Sequence, residues 1–216
     1  MSYWKTLFES ETVLYFTAIS SEGVEELEKV LEKNSTHELY LSLNKIKAKG
    51  IFAITNALRM NTSLKKLMFT QNGIDDKGSQ MFAQVLKQNT SLEILFLSCN
   101  EIGDKGAQAL AQALKQNMRL KHLDLYNNRI GDKGAHAIAK ALKRNSSLNM
   151  LSLMVNVIQI KGALAIVKAL RQNIGINDLH LSRNQFRCCV GLEKILEEKG
   201  KKIKFQIFFS KIKIKK

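Results

Sequence analysis

The sequence contains no proline, where average usage would place about ten in a chain of this length. Proline-rich linkers and a proline-punctuated string of domains are thereby excluded. Cysteine is nearly as scarce: Cys99, Cys188 and Cys189 are an odd number, two of them adjacent. That spacing gives neither a disulfide framework nor a metal-ligand set, so three reduced structural thiols in a reducing compartment are expected. No apolar run approaches the roughly 20 residues that a membrane-spanning helix needs. Glu9 and Glu11 interrupt the one early apolar stretch, so a secretory signal is not expected and the chain reads as soluble.

Acidic charge is also in deficit. The net charge is +15, and residues 199–216 alone hold eight lysines and no acid. About half of the excess therefore sits in a short tail and the rest is spread over the body. With 45% hydrophobic and 25% charged residues the composition is that of a globular protein, not a disordered one. Its 216 residues suffice for one well-packed domain.

What is abundant is self-similarity at a period of 28 residues. Numbered from Leu64, Leu92, Leu120, Leu148 and Ile176, position 4 of each unit is Leu39, Leu67, Leu95, Leu123, Leu151 or Leu179. Position 6 is Leu41, Phe69, Leu97, Leu125, Leu153 or Leu181. Position 9 is asparagine six times: Asn44, Asn72, Asn100, Asn128, Asn156 and Asn184. Position 11 is Ile46, Ile74, Ile102, Ile130, Ile158 or Phe186. The alternation at positions 4 and 6 places one face of a short strand in a core. The asparagine follows where the chain turns and backbone groups lose their ladder partners, which a stacked amide side chain satisfies from inside.

The second half of each unit has helical spacing, as in Ala107, Leu110, Ala111 and Leu114. Asp76, Asp104 and Asp132 stand where an N-cap is wanted. Arg59, Lys87, Lys115, Lys143 and Arg171 close the helices, where cations suit the dipole. The asparagines after them (Asn61, Asn89, Asn117, Asn145, Asn173) are expected to take the left-handed exit conformation.

One strand and one helix per 28 residues cannot bury a core alone and must stack. The expected architecture is an α/β solenoid, a horseshoe with a concave parallel sheet and convex helices. A single domain over 1–216 is expected. It comprises a degenerate N-terminal repeat (9–35), five regular repeats (36–175), a degenerate repeat (176–200, with a helix near Leu192–Glu198), then a capping strand and basic tail (201–216). Lys202–Phe209 alternates well enough to cover the open sheet edge.

The unit GDKGAQALAQALKQN followed by LKHLDLYNNRI resembles the ribonuclease-inhibitor-type leucine-rich repeats of NOD-like receptors, Ran GTPase-activating protein, tropomodulins and ribonuclease inhibitor. The resemblance covers about residues 36–196. It implies the horseshoe fold and binding of proteins through the concave face and rims. The cysteine richness of ribonuclease inhibitors is missing, and with no nucleotide-binding module ahead of the repeats in these residues a whole NOD-like receptor is not expected. A free-standing domain of this kind is also similar to eukaryote-like effectors that intracellular bacteria deliver into host cells. That resemblance implies a cytoplasmic location, the host's in the case of a delivered effector.

Strand residues that alternate with the leucines face the concave side. Tyr40, Met68, Ile94, Phe96, Tyr126, Met150 and Met154 cluster there, with His122, Asp124 and His180 among them. An apolar cluster with aromatic anchors on a water-facing sheet points to a partner-binding surface. Phe96 and Tyr126, on adjacent strands, are expected to form one contiguous anchor. A protein partner bound by a monomer, with no cofactor and no metal, is therefore expected.

Catalysis is not expected. Asp124, Ser152 and His180 share one position on successive strands, but serine lies in the middle where a triad needs histidine. His122 and Asp124 lie two strands, about 10 Å, from Asp178 and His180, too far for one ion. No loop residues match a GTPase-activating role. The alternative reading is nucleic acid or anionic membrane bound through the lysine-rich tail.

Overall fold

In the computed structural model the described residues are 7–10, 12–16, 21–44, 46, 48–186 and 204–206. In chain order the strands are β1 (Leu7–Ser10), β2 (Val13–Tyr15), β3 (Glu38–Tyr40), β4 (Lys66–Met68), β5 (Ile94–Phe96), β6 (His122–Asp124), β7 (Met150–Ser152), β8 (Asp178–His180) and β9 (Lys204–Gln206). The helices are α1 (Ser21–Glu32), α2 (Ala48–Met60), α3 (Asp76–Leu86), α4 (Asp104–Leu114), α5 (Asp132–Leu142) and α6 (Ile160–Leu170). The sheet runs β1 to β9 in sequence order, with β2 to β9 parallel and β1 antiparallel at the edge. Leu39, Leu67, Leu95, Leu123, Leu151 and Leu179 lie in one register row.

That register makes the hydrophobic pattern a continuous core. The leucines of positions 4 and 6 are fully buried, and Leu58, Leu86, Leu114, Leu142 and Leu170 meet them from the helices. Small residues at Ala107, Ala135 and Ala163 are buried as well, which lets neighbouring helices approach closely. The solenoid expected from the repeat is what forms, and β9 pairs in parallel with β8. The expected helix near Leu192–Glu198 and the basic terminus lie outside the described residues, as do Cys188 and Cys189.

The asparagine ladder behaves as its chemistry requires. Asn100 Nδ2 donates to the carbonyls of Phe69, Leu97 and Ser98 at 3.1, 3.0 and 3.1 Å. Its Oδ1 accepts from the amides of Asn72 and Ile74 at 2.9 and 3.0 Å. Each such side chain thus satisfies its own turn and the preceding one, and the row recurs every 28 residues.

Two expectations about the helix ends need correction. Asp76, Asp104 and Asp132 do not cap their own helices. Asp104 Oδ1 accepts from the amides of Gly131 and Gly134, at 2.9 and 2.7 Å, which open helix α5 of the next repeat. Asp76 does the same for Gly103 and Gly106, and Asp132 for Gln159 and Gly162. Among α3 to α6 only α3 is capped locally, with Asp75 Oδ1 accepting from Gly78 N at 2.9 Å. The physical reason is lateral packing: the preceding helix start lies beside the orphan amides, so its carboxylate meets them with a better approach than a local side chain. Gly106, Gly134 and Gly162 are part of this device, because a Cβ at each would meet the capping carboxylate at 2.8, 2.9 and 2.5 Å.

The second correction concerns Asn61, Asn89, Asn117, Asn145 and Asn173. They are not left-handed; among them and their counterparts only Asn34 has positive φ, at 56°. They are buried and form a second ladder. Asn117 Nδ2 donates to the Leu86 and Asn89 carbonyls, and its Oδ1 accepts from the amides of Arg119 and Leu120. The left-handed residues stand instead just before the first ladder: Leu43, Gln71, Cys99, Asn127, Val155 and Arg183.

Candidate functional site

The parallel register stacks the concave side chains in rows. Glu38, Lys66, Ile94, His122, Met150 and Asp178 form one row, and Tyr40, Met68, Phe96, Asp124, Ser152 and His180 the next. All ten residues expected to bind a partner are half-buried, so none belongs to the core and none stands free of its neighbours. Strand spacing of about 4.8 Å makes each row a continuous ridge.

The N-terminal end of this surface is polar and cross-linked. Tyr40 stacks on Tyr15 with ring centroids 4.2 Å apart. Its hydroxyl donates to Glu38 Oε2 at 2.6 Å and accepts from Lys66 Nζ at 2.8 Å. Lys66 also reaches Glu38 Oε2 at 3.2 Å. The Tyr40 hydrogen bond holds the Glu38 carboxyl below its usual range, against a smaller opposing effect of burial. Burial and the Glu38 contact push the Tyr40 hydroxyl up. Tyr40 is therefore engaged, unlike the apolar residues that follow it.

Met68, Ile94, Phe96, Tyr126, Met150 and Met154 lie on β4 to β7 or just after them, and Asp124 stands on β6 among these strands. Asp124 accepts the amide of Tyr126 at 2.8 Å and is hydrogen-bonded by the hydroxyls of Ser152 and Ser98. Burial raises its pKa above the ordinary aspartate value, and these donors and His180 only partly offset that. The expected Phe96–Tyr126 anchor is thus divided. Asp124 stands directly across from Phe96, and among the described residues no ring contact joins the two aromatics. At the far end His180 Nε2 lies 2.8 Å from Asp178 Oδ1.

The serine of the row, Ser152, is buried and turned to Asp124, while His180 is turned to Asp178. Among the described residues no group of three His, Cys, Asp or Glu side chains is placed to hold a metal ion.

A part of the surface was missed in the sequence. In the repeat containing β7 the rim between strand and helix turns apolar. Val155, Val157 and Ile160 replace the Asn127, Arg129 and Asp132 of the repeat before. Val157 and Ile160 are 40% and 41% exposed, so the patch around Tyr126 and Met154 continues over the rim. The signal lay in the departure from the repeat's polar pattern at three positions of one unit. A second feature marks the opposite end: where Ala48 stands in the register of the capping aspartates, a cleft of about 430 Å³ opens beside Ile51, Met81 and Lys77.

The family model described as Leucine Rich repeat matches residues 61–83, 88–111 and 116–139. No curated protein matches the sequence. Among solved structures, actin-binding site 2 of leiomodin-1 is 28% identical with a TM-score of 0.61, covering 73% of this chain and 91% of that one. The tropomodulin C-terminal domain of Caenorhabditis elegans superposes with a TM-score of 0.60 at 16% identity, covering 69% and 92%. The second likeness speaks to the fold alone. Among the described residues no helix is long and apolar enough to cross a membrane.

Proposed function

Because the chain is a leucine-rich-repeat solenoid, we propose that it is a non-catalytic scaffold that recognises a partner protein through its concave sheet face. The observation that carries this reading is the half-exposed cluster of Met68, Ile94, Phe96, Tyr126, Met150 and Met154, with Asp124 among their strands. Water-facing strands have no folding reason to carry six large apolar side chains, whereas an interface core does. The methionines adapt to a partner's shape and the rigid sheet keeps the ordering cost of binding low. The buried carboxylate in their midst favours a partner that brings a cation or a hydrogen-bond donor to Asp124.

The leiomodin domain is described as an actin-binding site. That likeness supports a macromolecular protein ligand for this chain and makes actin a reasonable first candidate. The proposal also includes one structural domain, a monomeric state and a cytoplasmic location, in a host cell if the chain is a delivered effector.

The test is affinity capture from cell extract with the wild type and a Phe96→Ala/Tyr126→Ala variant side by side. A partner held by the wild type and lost by a folded variant supports the reading. Identical capture by both overturns it.

A further inference from the structure

Helices α2 to α6 make their part of the solenoid's outer surface predominantly basic, whereas α1 beside them carries Glu28 and Glu32. Lys49, Lys77, Lys105, Lys133 and Lys161 occupy the second residue of α2 to α6, one per helix, and all are exposed. Arg59, Lys87, Lys115, Lys143 and Arg171 form a second row at the other ends of the helices. Ten helical residues separate the rows, which corresponds to about 15 Å. With neighbouring helices about 8–10 Å apart, each row extends over roughly 35 Å.

Cations outnumber acids on these helices. The only acids within α2 to α6 are Asp76, Asp104 and Asp132, and their carboxylates are occupied by backbone amides of the next repeat. Among the described residues none of the row lysines is in a salt bridge. The second row has a structural explanation, since cations favour a helix C-terminus. The first row has the opposite one, because a cation in the first helical turn opposes the dipole. A lysine there in five consecutive helices has no helix-stabilising explanation of its own.

We propose that this helical face docks onto an anionic lipid surface, leaving the concave face free for its protein partner. Lipid fits better than nucleic acid on three counts. The cations are spread over a two-dimensional face in two rows about 15 Å apart, and mobile lipids gather under such a pattern. The first row is entirely lysine, lacking the guanidinium fork suited to phosphodiesters and base edges. At one margin α2 exposes Phe52 and Met60, 56% and 82% accessible, beside Lys49 and Arg59. Apolar side chains next to basic ones suit the headgroup boundary.

The probe is sedimentation of the full chain with phosphatidylcholine vesicles, plain or containing about 30 mol % phosphatidylserine, at about 0.1 M and 0.5 M salt. Binding is expected to the anionic vesicles alone and to fade at the higher salt. A Lys77→Glu/Lys105→Glu/Lys133→Glu variant should lose at least about tenfold in partition. It should melt no lower than the wild type, because acids favour these helix starts, so the loss is not unfolding. Phe52→Ser/Met60→Ser should weaken partition severalfold and leave the salt dependence in place.

Deletion of residues 211–216, which removes four other lysines, should cost less than the triple variant. Equal binding to neutral vesicles would overturn the proposal, as would a triple variant that binds normally. So would a tail deletion that alone abolishes binding. Duplex DNA that displaces the protein from vesicles at equal phosphate concentration would assign the face to nucleic acid and overturn it too.

Discussion

Replacing Asp104 by alanine should weaken the repeat after its own. The carboxylate accepts two amides, Gly131 N at 2.9 Å and Gly134 N at 2.7 Å, both of them orphan donors at the start of α5. A lost helix cap costs about 1 kcal/mol, and a hydrogen bond to a charged group about 1.5–3 kcal/mol. The half-buried position of Asp104 puts this case near 2 kcal/mol. In a domain of this size that corresponds to a melting point lower by about 4–8 °C. Urea titration followed by circular dichroism measures the loss, and amide hydrogen exchange locates it. The amides of Gly131 and Gly134 should lose protection while those at the start of α4, held by Asp76, keep theirs. Asp104→Asn should recover part of the loss, since asparagine also caps helices. A change below about 0.5 kcal/mol, or a loss of protection in α4 instead of α5, would refute the inter-repeat cap.

Gly134→Ala should destabilise by about 1–3 kcal/mol even though alanine favours helix. Its Cβ would lie 2.8 Å from Ile130 Cγ2 and 2.9 Å from both Asp104 Oδ1 and Ala107 Cβ, and a thermal melt measures the loss. Asn100→Ala leaves the Phe69 carbonyl and the amides of Asn72 and Ile74 without their partner, while Asn128 Nδ2 and Gln71 N still serve the Leu97 and Ser98 carbonyls, and should cost about 3 kcal/mol or more. Asn100→Asp should be no better in the same urea titration, because a carboxylate would face those carbonyls. Asp124 should titrate above the usual aspartate range in carbon-detected NMR, and higher still in Ser152→Ala, where a donor to the anion is lost. With its folded pKa above the unfolded one, its contribution to stability is full below the unfolded pKa and is lost as pH rises through the folded pKa. Asp124→Asn should therefore gain stability over wild type near neutral pH, and the gain should close in acid.

The periodic features were legible in the sequence because their cause is itself periodic. Leu95 beside Leu123, and Asn100 beside Asn128, follow from a constant spacing and the two-residue alternation of a strand. The partners of Asp104 were not legible, because a local rule assigns the carboxylate to its own helix. Its true ligands lie 27 and 30 residues on and become neighbours only when repeats stack. The buried Asn117 was misassigned for a related reason. Asparagine suits both a left-handed exit and a ladder, and only the adjacent repeat's free carbonyls decide between them. On the concave face, the rows were placed correctly by register. The engagement of Tyr40 with Lys66 and the position of Asp124 between Phe96 and Tyr126 depend on rotamers that no spacing specifies. Val157 and Ile160 depart from the repeat in a single unit, where the polar Arg129 and Asp132 of the unit before set the pattern.

The central claim is that a protein partner lies against the concave sheet. Site-specific photo-cross-linking tests it most directly, with a photoreactive side chain at Phe96 on β5 or at the exposed Gln108 on α4. The captured partner should cross-link from position 96 and not from position 108. Cross-linking from 108 with none from 96 would place the partner on the helical face and contradict the account.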